Sequence, residues 1–211
     1  MKKLPSGLYA ITCEKRSLGR KNLEVVKEML EAGIEILQYR EKENKTIREK
    51  YLECKEIAKM TKDYGVLFIV NDHIDIAMAV DADGVHIGQD DMPVQEVRKL
   101  IGKNKIIGLS THSIEQAQNA LKEDVDYIGV GPIFKTDTKN TSPVGLEYLE
   151  YVVKNIHLPF VAIGGIKEHN IEEVLSRGAK TVALVTEITE SPDIKDKIKK
   201  LRKKLNDFKI I

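Results

Sequence analysis

The chain has 211 residues, with 34 Lys and Arg against 33 Asp and Glu and a formal net charge of +1. That balance argues against a broad basic surface for nucleic acid and against a charged, disordered tail. Two cysteines are too few for a disulfide framework and fit a reducing cytosol, and no window is apolar enough to span a bilayer.

The first apolar run, residues 7–12 (GLYAIT), reads as a strand. No long apolar stretch follows the Lys2-Lys3 pair ahead of it, which argues against a secretory signal. Residues 22–31 have helical period through Leu23, Val26, Met29 and Leu30, with Gly33 as a stop. Strand 34–39 (IEILQY) comes next, then a helix over 46–61 that opens on a capping box, Thr46 with Glu49. Strands 66–70 and 84–87 precede a helix at 93–101, which starts on Pro93 and stops before Gly102. Strand 106–109, helix 113–121 capped by Ser113, strand 127–130, helix 145–153, strand 160–163, helix 167–176, strand 181–185 and helix 191–205 complete the order. The strands are nearly continuous apolar segments, as parallel strands buried on both faces are.

Eight strands alternating with helices, at about 26 residues per unit, predict a single (β/α)8 TIM barrel over residues 1–211. A doubly wound open sheet is the rival fold. It usually announces a glycine-rich first turn, and residues 12–16 (TCEKR) have none. The last helix is very basic (KDKIKKLRKKL). It reads as a solvated outer helix with Ile194, Ile198, Leu201 and Leu205 against the barrel.

A barrel's chemistry sits where strand C-termini meet the following loops. Strand 2 ends in Gln38-Tyr39-Arg40-Glu41-Lys42, strand 3 in Asn71-Asp72 and strand 5 in Ser110-Thr111-His112. Strand 4 runs into Gln89-Asp90-Asp91, and strand 6 into a long loop with Thr136, Asp137, Thr138 and Lys139. Strand 7 ends in Gly164-Gly165 and strand 8 in Val185-Thr186. Arg40, Lys42 and Lys139 are cations suited to phosphate oxygens. Asp72 and Asp91, with Asp90 competing, fit Mg2+ held together with substrate phosphates. Taken singly, each reads as a helix N-cap. Gly164-Gly165 and Val185-Thr186 match the barrel's recurrent phosphate site, where glycine lets backbone N–H groups approach an anion. Two anionic groups therefore have places, and no serine–histidine–acid set, reactive cysteine, zinc spacing or dinucleotide fingerprint stands out. His112 lies two residues from Ser110 with no acidic orienter in sight.

QYREK after strand 2, VND after strand 3, DGVHIGQDD, GLSTHS, GPIFKTDTK and AIGGI together resemble thiamine-phosphate synthase, in order and spacing over essentially the whole chain. The resemblance implies an alkyl/aryl transferase that joins hydroxymethylpyrimidine diphosphate to a thiazole phosphate and releases diphosphate. It implies that Gln38, Tyr39, Arg40, Glu41, Lys42, Asn71, Ser110 and Lys139 bind the pyrimidine diphosphate, with Arg40, Lys42, Ser110 and Lys139 catalytic. It further implies Asp72 and Asp91 as Mg2+ ligands, and Thr136, Asp137, Thr138, Gly165, Val185 and Thr186 at the thiazole phosphate. The family pattern differs at Thr186-Glu187, where Glu187 would repel a phosphate unless it points away, and at Asn140-Thr141.

A thiazole tautomerase on the same barrel is the nearest rival, and it lacks the paired aspartates. A non-catalytic phosphate-ligand sensor would need neither aspartate, and a sugar-phosphate isomerase would leave Asn71-Asp72 unexplained. The reading is a cytoplasmic enzyme with small-molecule partners, no nucleic acid and no membrane. The oligomeric state is left open, a homo-oligomer included.

Overall fold

The structure, a computed structural model, describes residues 3–42, 45–137 and 142–211. Eight strands pair in parallel and in chain order: β1 Gly7–Ile11, β2 Ile36–Tyr39, β3 Leu67–Asn71, β4 Gly84–Ile87, β5 Ile106–Thr111, β6 Tyr127–Val130, β7 Phe160–Ile163 and β8 Thr181–Leu184. β8 closes on β1 with Gly7 opposite Thr181, so the sheet has no edge and the fold is the (β/α)8 barrel. The outer helices are α1 Asn22–Glu31, α2 Ile47–Tyr64, α3 Ile74–Ala79, α4 Val94–Ile101, α5 Ile114–Ala120, α6 Gly145–Asn155, α7 Ile171–Leu175, α8 Thr186–Thr189 and α9 Ile194–Asp207.

The local signals act as their chemistry dictates. Thr46 Oγ1 accepts the Glu49 N–H at 3.2 Å, while the Glu49 carboxylate takes the Thr46 N–H at 2.7 Å. Ser113 caps α5 by accepting the Gln116 N–H, and Asp193 caps α9 by accepting that of Asp196. Gly65 ends α2 in the left-handed region at φ 67°. On α9, Ile194, Ile198, Leu201 and Leu205 are fully buried, whereas Lys195, Lys199, Lys200 and Lys203 are exposed. The basic run is thus the solvated side of an amphipathic helix.

Two helices escape the sequence pattern. α3 is six residues, apolar on nearly every side, and its N-cap His73 makes no side-chain cap bond. α8 is four residues long, shorter than any periodicity can report. The predicted helix at 167–176 shortens to α7, with turns ahead of it.

Alternation along the strands divides the core in two. Outward residues pack under the helices in one large cluster. Inward residues, Tyr9, Ile11, Ile36, Leu67, Ile69, Ile106, Tyr127, Val161 and Ala183, fill the barrel itself. The phenol of Tyr127 fits inside because Gly108 on the neighbouring strand has no side chain. A Cβ there would overlap the ring.

Candidate active site

A cavity of about 210 Å3 opens above this interior core, at the C-terminal ends of the strands, and every strand contributes to its wall. Of the residues singled out in the sequence, Gln38, Arg40, Asn71, Ser110, Thr136, Asp137, Gly165, Val185 and Thr186 line it. Thr138, Lys139, Asn140 and Thr141 lie outside the described residues.

Strand period two decides what β2 contributes. Gln38 and Arg40 face inward, whereas Tyr39 and Glu41 face out. The Tyr39 hydroxyl donates to Glu53 at 2.6 Å. Glu41 accepts the Glu14 N–H at 2.9 Å and the Asn22 amide at 3.1 Å, and burial pushes its carboxyl up. Lys45 pairs with both Glu14 and Glu53. Tyr39 and Glu41 therefore hold the strand end from behind rather than line the cavity. The Arg40 N–H donates to the buried Thr12 hydroxyl at 2.9 Å, which pins the same segment to β1.

Asp72 follows β3 in the left-handed region, φ 61°, its N–H donating to His86 O at 3.0 Å. Its carboxylate lies 3.1 Å from Lys42 Nζ. Asp91 accepts the Gly88 N–H at 2.6 Å and so closes the turn after β4. Neither aspartate caps a helix, since the N-cap positions of α3 and α4 are His73 and Pro93. Lys42, Asp72 and Asp91 do not line the cavity and stand instead on the segments that follow β2, β3 and β4.

The floor is a hydrogen-bonded chain through the barrel. The Gln38 amide donates to Tyr9 Oη at 2.8 Å, and Tyr9 Oη meets Tyr127 Oη at 2.9 Å. Tyr127 Oη meets His86 Nδ1 at 2.9 Å, and His86 Nε2 meets Ser110 Oγ at 2.9 Å. Burial pushes both phenols well up, so they stay protonated. Either hydroxyl of the tyrosine pair can donate, and the His86 roles depend on its tautomer. One consistent polarity has Tyr9 donating to Tyr127, Tyr127 to His86 Nδ1 and His86 Nε2–H to Ser110, which leaves the Ser110 hydroxyl hydrogen free for an occupant of the cavity. Tyr127→Phe breaks the chain in the middle and leaves buried groups unpaired. It should cost about 1–3 kcal/mol, read as a fall in Tm of about 2–4 °C per kcal/mol. An unchanged Tm would show the chain to be energetically idle. His112, the other imidazole on the wall, has a carbonyl as its orienter: Nδ1–H donates to Gly131 O at 2.5 Å.

The opposite arc is built on glycine. Gly164 takes φ 98°, and a Cβ there would overlap Pro132 Cα. Gly165 takes φ 64°, where a Cβ would overlap the Lys135 carbonyl. The segment after β6 lies against this turn, with the Phe134 N–H donating to Gly164 O at 2.9 Å. Asn170 locks the turn, donating to Gly165 O and accepting the Lys167 N–H. Glu187 points away from the cavity, accepting from Lys197 Nζ at 2.9 Å and from the Glu168 N–H at 3.2 Å.

The cavity wall also holds residues that strand ends alone did not reveal: Tyr9, His86 and Tyr127 from strand interiors, and Arg16, Lys135, Lys167 and Glu190 from loops. Inward parity would have found the first three, since His86 and Ser110 share a face with the interior core. Applying the strand-end test to strand 1 would have found Arg16.

Comparison with known proteins agrees with this fold. The family model for thiamine monophosphate synthase matches residues 8–188. Thiamine-phosphate synthase of Pelotomaculum thermopropionicum is 64% identical over 201 residues, covering 94% of this chain and 92% of that one. The enzyme of the same name from Caldicellulosiruptor saccharolyticus is 54% identical over 203 residues, covering 95% and 91%. The solved structure of thiamine phosphate pyrophosphorylase from Pyrococcus furiosus superimposes with a TM-score of 0.88 at 38% identity, covering 96% of each chain. Neither the tautomerase reading nor that of a non-catalytic sensor finds support among these relatives. The chain belongs to the thiamine monophosphate synthase family and is a transferase with thiamine-phosphate synthase activity.

Proposed function

We propose that the enzyme joins hydroxymethylpyrimidine diphosphate to a thiazole phosphate by a dissociative, Mg2+-assisted substitution, releasing diphosphate and forming thiamine monophosphate. The observation that carries this is one cavity with two unlike arcs. Gln38, Arg40, Asn71 and Ser110 come from β2, β3 and β5. Gly165, Val185 and Thr186 come from the ends of β7 and β8.

Arg40 offers a bidentate fork to diphosphate oxygens, and Lys42 adds charge on the segment after β2. Ser110, at the end of the hydrogen-bonded chain, donates a hydrogen bond where negative charge collects on the leaving group. Lys139, on the family pattern, would add a third cation. The walls hold the two reactants in line and keep water from a pyrimidine-methyl cation. No general base is required, because the attacking thiazole nitrogen carries no proton.

Asp72 and Asp91 would hold Mg2+. Among the described residues no group of three or more His, Cys, Asp or Glu converges as a metal site. Mg2+ bound through substrate phosphates needs only one or two carboxylates, and two oxygen donors at the ends of neighbouring strands fit it. When bound, it supplies Lewis-acid neutralisation of the diphosphate. We read the enzyme as a single domain over residues 1–211 acting on small molecules. The free Cys13 and Cys54 support a cytoplasmic setting, and no helix among the described residues is long and apolar enough to cross a membrane.

The purified protein, mixed with pyrimidine diphosphate, thiazole phosphate and Mg2+, should release diphosphate. Release should stop when EDTA is added or the thiazole phosphate is left out. Undiminished release in EDTA would end the metal-assisted reading.

A further inference from the structure

The thiazole phosphate is an anion, and the residues so far assigned to it carry no positive charge. Among the described residues, the cavity wall holds four Lys and Arg side chains: Arg16, Arg40, Lys135 and Lys167. Arg40 belongs to the β2 end. Arg16 follows β1 and Lys167 follows β7, and β1 and β7 are the two strands hydrogen-bonded to β8. The barrel therefore brings one cation to each side of the β8 end, where Val185 and Thr186 lie.

Both cations are paired with acids from the short segment that follows β8. Arg16 Nε pairs with Glu190, and Lys167 Nζ lies 3.6 Å from Glu187 Oε2. Glu190 itself lines the cavity. Its carboxyl is held below the usual range, first by Arg16 and further by Lys167. A carboxylate of the protein thus holds Arg16 at the cavity wall, with Lys167 on the same wall. The Arg16 and Glu190 side chains are each about one-third exposed (36% and 35%), and an ion pair that wet holds its partners weakly. A phosphate offers the guanidinium a bidentate match and more charge than the carboxylate does.

Resting on the synthase reading above, we infer that Arg16 and Lys167 are the side-chain cations of the thiazole-phosphate subsite, with Glu190 the internal anion that the substrate's phosphate displaces from Arg16. This makes Arg16 a specificity residue for the phosphorylated over the unphosphorylated thiazole.

The test compares kcat/KM for thiazole phosphate with that for the thiazole alcohol, at saturating pyrimidine diphosphate and Mg2+. Arg16→Gln should lower that ratio about tenfold or more, Lys167→Gln should lower it severalfold, and Arg16→Lys should recover part of the loss. KM for the pyrimidine diphosphate should stay within about twofold. Glu190→Gln removes the competing carboxylate and should leave the ratio at or above the wild-type value. An unchanged ratio in Arg16→Gln overturns the inference. So does a loss in Glu190→Gln equal to that in Arg16→Gln, since the pair would then only strap the β1 loop to the segment after β8. If the wild-type protein shows no turnover, the synthase reading fails. Calorimetric titration of thiazole phosphate into wild type and Arg16→Gln still decides the subsite: weaker binding by the variant sustains it, and equal affinity overturns it.

Discussion

Asp72→Asn is expected to lower turnover at saturating substrates about a thousandfold while leaving the fold intact. At 1.36 kcal/mol per decade this is about 4 kcal/mol, the several kcal/mol a metal and its ligand contribute where leaving-group charge develops. Asn is the informative replacement because Asp72 sits at φ 61°, which Asn tolerates. Ala there would add about 1–2 kcal/mol of backbone strain and blur the result. The variant keeps a hydrogen-bonding side chain beside Lys42, 3.1 Å away in the parent, but removes the negative charge. Steady-state kinetics across a Mg2+ series checks it, with thermal unfolding as the control. Wild-type kinetics would reduce Asp72 to a surface partner of Lys42.

Gly164→Ala is expected to damage both stability and the phosphate arc. The position combines φ 98° with a neighbour, Pro132 Cα, that a Cβ would overlap, and that neighbour is backbone and cannot swing aside. Overpacking and the left-handed cost together amount to about 3 kcal/mol, a fall in Tm of about 6–12 °C for a chain this size. The phosphate turn must shift as well, so kcat/KM for the thiazole phosphate should fall. Gly65→Ala is the control. Gly65 is also left-handed, at φ 67°, but nothing lies within 4 Å of a Cβ there, so only the backbone cost of about 1 kcal/mol applies. Equal Tm values for the two variants would show that close packing at Gly164 is not what requires glycine.

These two positions mark what a sequence can and cannot say about this barrel. The strands were legible because each is a buried apolar run, and parallel order followed from alternation with helices. The strand-end test found Gln38, Arg40, Asn71, Ser110, Gly165 and Thr186, all of which line the cavity. It could not separate Tyr39 and Glu41 from their neighbours, because a motif read as a string has no inside and outside. The pleat sends alternate residues to Glu53 and Asn22 instead. The internal chain from Gln38 to Ser110 was invisible because its members come from five strands. Glu187 looked like a repulsive charge until its partner, Lys197 on α9, came into place ten residues further along the chain.

The central claim is that one cavity holds both anionic groups, each on its own arc. A diffraction experiment on crystals soaked with thiamine monophosphate, diphosphate and Mg2+ tests it most directly. The account predicts density for the diphosphate against Arg40 and Asn71, with Mg2+ between it and Asp72 and Asp91, and the monophosphate at Gly165 and Thr186 beside Arg16 and Lys167. A diphosphate seated at Gly165, or a monophosphate bound outside the cavity, would contradict it.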